Sequence, residues 1–514
     1  MEERVYDQVS TKESGDLGRR NVPWRDLRDW LKLLSSHGLV KSVSAQVDLN
    51  EELSTIAVLA TQADENAPAL LFENIKGDRL NSRVLANMLG SSKERFALAV
   101  GLNPTHSIRN LIAAARSIVK ERVAPIMIPK TAAPVNEMVQ TGKDIDVTVF
   151  PSPKFWPGDG GPYIGTADVT FTRSPDSSRI NVGCYRQMTH GPNRIGMYCS
   201  PGKHGRLDRE AWWRDGKPCE IVAAYGIDPV LFLVGGMAFG KDVPELDVAG
   251  GIMGRPVELT EAEVVSLPIP ANAEIVIEGL LHPGDNEMEG PLGEFTGYYG
   301  NERGLQPVIE VKAVHYRRSP ILTAAIMANY PSSEIGTGFA IMRSARILDD
   351  LERIGVPGVV SAYTPPAAIG GYGMTVVALK QLYAGHAAQV LALAAQCPAA
   401  AYLSKWVIVV DEDVDPTDIN QVLWALSTRC NPVDDLEFLK NTWSSPLDPS
   451  QYPPELRSYG SKVLINACKP HRHIEHFPAA TLLRKGTYER VLSRWSEFGV
   501  SDQPPPEPVA FQPE

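Results

Sequence analysis

Between Trp24 and Gly38 the apolar residues Leu27, Trp30, Leu31, Leu33 and Leu34 recur at helical spacing, and Gly38 supplies a stop. The spacing predicts an amphipathic helix. A second helix is expected in EELSTIAVLATQADEN, a short strand in PALLFEN, and further helices near 92–103 and 107–121. Residues 1–124 therefore read as a mixed α/β domain. From about 125 the texture changes to proline-rich IMIPKTAAP and FPSPKFWPGDGGPYIG, followed by strand-like DVTFTR, RINVGCYRQM, EIVAAYG, PVLFLVGG and EIVIEGLL. Short strands between Gly/Pro turns predict a barrel over 125–328. The run 305–327 reads as its closing hairpin, turning at Arg318-Ser319-Pro320. Over 329–514, helical AIMRSARILDDLERIG and LYAGHAAQVLALAAQC alternate with strands GMTVVALK and KWVIVVDEDVD, which implies a parallel or mixed sheet with helices against it. Thr417 is the expected cap of the helix DINQVLWALSTRC.

A chain of 514 residues exceeds one ordinary hydrophobic core, which agrees with this three-part division into a multidomain α/β protein. A net charge of −11 with no Lys/Arg cluster to reverse it makes nucleic acid a poor partner. The start MEERVYDQVSTKESGDLGRR lacks the apolar core of a signal peptide, and no apolar run approaches the roughly 20 residues that span a bilayer. A cytoplasmic location is expected. The six cysteines contain no CxxC pair and are expected to be buried, reduced thiols. The tail SDQPPPEPVAFQPE reads as a docking or loosely ordered end.

The most informative stretch is HPGDNEMEGPLGEFTGYYG, where Glu289 and Glu294 flank Gly290, Pro291 and Gly293. A Gly/Pro-rich connection can curl so that both carboxylates enter one cavity, and two such neighbours do not easily both ionise. One of them would then serve as a general acid near neutral pH. On spacing alone, a solvated acidic turn with Asp285 and Glu287 is the more ordinary reading. In RINVGCYRQM a bulge at Gly183 would turn Asn181 and Arg186 to one side, where Arg186 could grip a carboxylate; an ordinary strand with a surface arginine fits the same residues. Asn181, His204 and Glu245 together offer O, N and O ligands, a set suited to Mn²⁺ or Mg²⁺ beside a phosphate.

Other clusters carry less. GTGFAIMR and IGGYGMTVV match no dinucleotide fingerprint and read as turns. His471, His473 and His476 lack a recognised ligand spacing, and DEDVD reads as a solvated acidic strand end in preference to a magnesium site.

Together these segments resemble the UbiD family of reversible decarboxylases. The resemblance spans about residues 25 to 495 and is carried by DGGPYIGTADVTFT, NVGCYRQM, the PGKH segment, VPELDVAGGIMGRPVEL and EIVIEGLLHPGDNEMEGPLGEFTGY, in that order. It implies a central flavin-reductase-like split β-barrel between an N-terminal α/β domain and a C-terminal oligomerisation domain. It also implies prenylated FMN, with the phosphate held through Mn²⁺ (or Mg²⁺) on Asn181, His204 and Glu245. K⁺ would lie nearby at Val234, Gly235, Met237, Glu245 and Arg429, partly on backbone oxygens. Cys184, Tyr185, Arg186, Lys203 and Lys405 are the further cofactor contacts the resemblance implies.

The same resemblance assigns Glu289 and Arg186 to orienting substrate and polarising the cofactor, and Glu294 to protonating the carbon that loses CO₂. Phe295, Ser200, Trp443 and Leu447 match or neighbour substrate-pocket positions, and an aromatic lining suits a planar ring acid. The chain departs from the ferulate decarboxylases at Lys203, where they have glutamine, at Ala399, where they have a cofactor-contacting lysine, and at Phe295, where they have methionine. Lys405 better matches a lysine of bacterial relatives. A flavin prenyltransferase is implied as cofactor supplier, and a homodimer or homohexamer as the assembly. The alternatives are a flavin reductase on the same barrel and a non-catalytic subunit of a larger carboxylase.

Overall fold

The apolar stripe of the first helix does what its spacing demands: in Leu27–Ser36, Leu27, Trp30, Leu31 and Leu34 are buried, and Asp26 caps the start by accepting from the Asp29 N–H. Gly38 follows with φ +69°, a conformation that favours glycine. The computed structural model describes residues 21–64, 66–240, 242–300, 302–451, 459–501, 504–505, 507–508 and 511–512. The N-terminal stretch discussed above falls outside these residues, as does part of the tail, of which Gln512 donates to the Leu483 carbonyl and Phe511 packs on Tyr488.

Helices Glu52–Ala63, Lys93–Ala99 and Ile108–Ile118 and strand Ala69–Phe72 form where the pattern places them. They surround a four-stranded sheet ordered Val40–Val43, Ala69–Phe72, Arg83–Ala86, Ile321–Ala324. The last strand corrects the hairpin expected over 305–327, because Ile321–Ala324 runs parallel to Arg83–Ala86 and does not fold back on its predecessor. Buried Glu274 redirects the chain. Its carboxylate accepts from the Ile321 N–H at 3.1 Å and pairs with Arg28 at 2.8 Å, which ties the Arg318-Ser319-Pro320 turn to the first helix.

The middle of the chain builds a nine-stranded antiparallel sheet that curls on itself. Along its path stand Tyr163–Gly165, Gln187–Gly191, Arg194–Met197, Gly304–Tyr316, Ile275–Glu289, Cys219–Tyr225, Val169–Thr172 and Asn181–Gly183, with Met138–Thr141 beside Gly304–Tyr316. RINVGCYRQM is thus not one bulged strand. Asn181–Gly183 ends the sheet and Gln187–Gly191 lies next to its opposite end, so Cys184, Tyr185 and Arg186 cross the split. The Gln187 amide closes the gap by donating to Thr170 Oγ1 at 2.8 Å.

PVLFLVGG is also corrected: Pro229–Gly236 is a helix, capped by the Asp228 carboxylate on the Val230 and Leu231 N–H groups. Seven of its eight residues are buried, so no polar face exposes the helical period.

The C-terminal region follows its alternating pattern. Helix Thr337–Ile354 precedes a five-stranded mixed sheet in which Met374–Leu379, Trp406–Asp411 and Tyr459–Ala467 are parallel, flanked by antiparallel Val359–Tyr363 and Leu436–Trp443. Helices His386–Gln396 and Ile419–Arg429 cross it. Asp418, not Thr417, caps the latter, since the helix begins one residue later than expected and Thr417 Oγ1 instead donates to Asp415. The acidic strand end is an ion-pair cluster, with Asp411 and Asp413 bound to Arg429, and Asp413 also to Lys469. All six cysteines are free thiols, four of them buried and Cys184 and Cys430 partly so. Among the described residues no helix is long and apolar enough to cross a membrane.

Candidate active site

The long strand Ile275–Glu289 ends by delivering Glu289 to the mouth of the curled sheet. Gly290, at φ +81°, turns the chain, and the short strand Leu292–Gly293 brings it back so that Glu294 meets the same partner as Glu289. That partner is Arg186. Its Nε and Nη2 donate to the two oxygens of Glu289 at 3.0 and 2.9 Å, and its Nη1 donates to Glu294 Oε1 at 3.0 Å. The guanidinium also lies 4.5 Å over the Tyr198 ring. The bidentate fork fixes the plane of the arginine, and the third donor fixes Glu294.

The segment Asp159–Tyr163 holds this turn from behind. Asp159 accepts from the N–H groups of Phe155 and Trp156 through Oδ2 and from the Gly293 N–H through Oδ1 at 2.9 Å. The Gly160 N–H donates to the Pro291 carbonyl at 2.8 Å, and a Cβ at Gly160 would sit 2.1 Å from the Gly290 carbonyl oxygen, so only glycine fits. The Tyr163 hydroxyl donates to Glu289 Oε1 at 2.7 Å. Sequence reasoning missed Asp159, Tyr163 and Tyr198; the tyrosines look like ordinary strand residues, and only the DGGPY glycines hint at a close approach.

Burial is the leading influence on Glu294 and pushes its pKa up; Arg186 opposes this, while the negative charge of Glu289 adds to it. The arginine's own pKa is raised because the two carboxylates outweigh its desolvation. One guanidinium can balance only one of the two carboxylate charges beside it. The triplet therefore places a carboxyl of raised pKa at the cavity wall.

That cavity has a volume of about 380 Å³ and is lined by Arg186 and Glu294, with Glu289 set behind Arg186. Asn181, Cys184, Tyr185, Lys203, His204 and Glu245 also reach it. So do the expected pocket residues Ser200, Phe295, Trp443 and Leu447, together with Tyr372, whose ring centroid is 5.6 Å from that of Phe295.

At the other end, Glu245 opens the helix Glu245–Met253, and His204 opens His204–Arg214. Arg179, not foreseen as a site residue, donates to Glu245 Oε1 and lies 3.4 Å from His204 Nδ1. Asn181 commits its amide nitrogen to Thr172 Oγ1 and the Tyr185 hydroxyl, which leaves its carbonyl oxygen as the ligand atom. Glu245 Oε2 is buried and has no hydrogen-bond partner among the described residues, and burial raises this carboxyl to about 7 despite Arg179. A buried carboxylate oxygen without a donor is a position a hard cation would satisfy. The residues present fit a divalent ion of the Mn²⁺ or Mg²⁺ type. Among the described residues no group of three His, Cys, Asp or Glu side chains forms a metal site, and the segment His471–His476 has no buried residue.

Three expected residues are not gathered here. Arg429 is committed to Asp411 and Asp413, at 2.8 and 2.7 Å from its Nη1. Lys405 bonds Asp448 at 2.7 Å and Ser450 at 2.6 Å. Val234 is buried within its helix, whereas Gly235 and Met237 line the cavity.

Comparison with known proteins supports the geometry along most of the chain. Three family profiles match in succession: the 3-octaprenyl-4-hydroxybenzoate carboxy-lyase N-terminal domain over residues 31–115, its Rift-related domain over 127–331 and its C-terminal domain over 337–467. Among solved structures, the UbiD-class enzyme HmfF from Pelotomaculum thermopropionicum, in complex with FMN, is 31% identical with a TM-score of 0.77, covering 89% of this chain and 97% of its own. Vanillic acid decarboxylase from Sedimentibacter hydroxybenzoicus, in closed form, is 28% identical with a TM-score of 0.83, covering 93% and 99%. The apo 3,4-dihydroxybenzoic acid decarboxylase AroY of Klebsiella pneumoniae is 30% identical with a TM-score of 0.77, covering 89% and 96%. With its paired glutamates on one arginine at the mouth of a split sheet and all three profiles matched in order, the chain belongs to the UbiD family of carboxy-lyases.

Proposed function

We propose that this protein carries out reversible, non-oxidative decarboxylation of an aromatic or heteroaromatic α,β-unsaturated acid with prenylated FMN, and that Glu294 is the proton donor. The observation that carries the reading is the Arg186 fork on Glu289 with its third donor on Glu294 in a closed-backed cavity. Structures of similar proteins hold FMN and prenylated FMN. When bound, the modified flavin supplies the electron sink that loss of CO₂ from an sp² carbon requires, which no side chain offers.

The protein's own contribution is proton and position. Arg186, held flat by Glu289, orients the acid through the donors it presents to the cavity. Phe295 and Tyr372 make an aromatic wall for a planar ring. Glu294, whose pKa is raised by burial and by the charge of Glu289, delivers its proton to the carbon that has lost CO₂. Asn181, His204 and Glu245 would hold Mn²⁺ or Mg²⁺ against the flavin phosphate. A K⁺ ion would lie nearby at Val234, Gly235, Met237, Glu245 and Arg429, partly on backbone oxygens. The boundaries near 124 and 328, a cytoplasmic setting, a flavin prenyltransferase as cofactor supplier and a homodimer or homohexamer complete the proposal.

The test is co-expression with a flavin prenyltransferase and a screen of hydroxybenzoate, indole, pyrrole and phenazine carboxylates. CO₂ release from a member of this set is expected. NAD(P)H oxidation without CO₂ release from any of them would favour the reductase reading instead.

A further inference from the structure

Away from the catalytic triplet, one guanidinium facing the cavity has no carboxylate partner. Arg346 stands on the helix Thr337–Ile354 and lines the cavity. Its Nη1 donates to the Ala238 carbonyl, and its guanidinium lies 4.8 Å over the Phe239 ring. Among the described residues it forms no ion pair. The largest influence of opposite sign is Asp350, which is already bonded to Arg353 and to the Ala399 N–H. An arginine stays charged throughout the working pH range, and a charge removed from water is tolerated when an anion meets it. The space beside Arg346 is therefore built for an anionic group.

Two anions are available in the proposed reaction: the carboxylate of the substrate and the phosphate of the flavin. In the reading above the acid is already oriented by Arg186, which leaves the flavin phosphate as the anion for Arg346. Connectivity favours the phosphate. Ala238 and Phe239 begin the loop that ends at Glu245, and the Val243 carbonyl of that loop accepts from Arg179, the same residue that holds Glu245. Arg346 is thus anchored to the segment that presents the candidate metal ligand. Lys405, the cation expected from sequence for this task, is turned onto Asp448 and Ser450.

We propose that Arg346 is the side chain that binds the phosphate monoester of the flavin mononucleotide, an inference that rests on the flavin reading above. The test compares FMN with riboflavin, the same ring system without phosphate, by fluorescence titration of the flavin-free protein in Mn²⁺. Wild type is expected to bind FMN at least about tenfold more tightly than riboflavin. Arg346→Met should lose most of that preference while its riboflavin affinity stays within about twofold, which also reports that the variant folds. Arg346→Lys should restore part of it, and Lys405→Met should leave the preference in place. An Arg346→Met protein that keeps the wild-type preference, or a Lys405→Met protein that loses it, would overturn the assignment while the flavin reading stands. If Arg346→Met binds neither flavin, the Arg346→Lys and Arg346→Gln pair decides: equal preference in both overturns the proposal. Wild type that binds neither flavin would overturn the flavin reading and this inference with it.

Discussion

At the Arg186 end of the cavity the guanidinium spends its donors on both oxygens of Glu289 and on Glu294, whereas at the Glu245 end a buried carboxylate oxygen has no hydrogen-bond partner among the described residues. The first end is assembled by the protein alone, backed by Asp159, Gly160 and Tyr163. The second presents a buried carboxylate oxygen that a cation would satisfy, and Arg179 touches Glu245 on one oxygen only. In the proposed function the first end serves proton transfer and the second would capture a metal-bound phosphate. One end determines the chemistry and the other determines what is held.

The comparison breaks most visibly at Glu294. Glu294→Gln removes the proposed proton donor, so CO₂-releasing turnover should fall by about 10²–10⁴-fold while FMN content, measured by absorbance, stays at the wild-type level. Glu245→Gln should do the converse. It keeps the triplet intact but weakens divalent-metal retention, by about 10-fold or more in a metal-content assay, and FMN is lost with the metal. Chelation of wild type should reproduce that loss, and re-addition of Mn²⁺ should reverse it.

The pH dependence separates the ends without mutation. In its proposed role Glu294 acts in its protonated form, and its pKa is raised, chiefly by burial. The turnover rate should hold at low pH and decline as pH rises through that elevated value, while FMN retention shows no such alkaline decline. A rate that increases across the same range would contradict a carboxyl proton donor at this site. The smallest effect is expected at Tyr163. Tyr163→Phe removes one hydrogen bond to Glu289, worth about 1 kcal/mol, so turnover should drop roughly fivefold with little change in flavin affinity.

How much of this was legible in sequence depended on whether a residue's partner lay close in the chain. The helix over Leu27–Ser36 could be read because it buries one face and exposes the other. The Pro229–Gly236 helix could not be recognised by period because burial on all sides leaves no polar face; the Asp-Pro start at 228–229 was the available clue. Strand Ile321–Ala324 was misassigned because its partner, Arg83–Ala86, lies far back in sequence and a buried glutamate steers the turn. The pairing of Glu289 with Glu294 was suggested by the Gly/Pro turn between them, but the arginine that binds both comes from the segment crossing the split sheet. Local spacing does not encode that crossing. Arg429 and Lys405 were drawn elsewhere by nearby carboxylates, a competition that motif matching does not weigh.

The most direct test of Glu294 as proton donor is exchange of solvent deuterium into the product at the carbon that carried the carboxylate, measured for flavin-loaded wild type and Glu294→Gln at equal occupancy. Exchange in wild type with its near-complete loss in the variant is the predicted result. Exchange at the wild-type rate in Glu294→Gln would contradict the account.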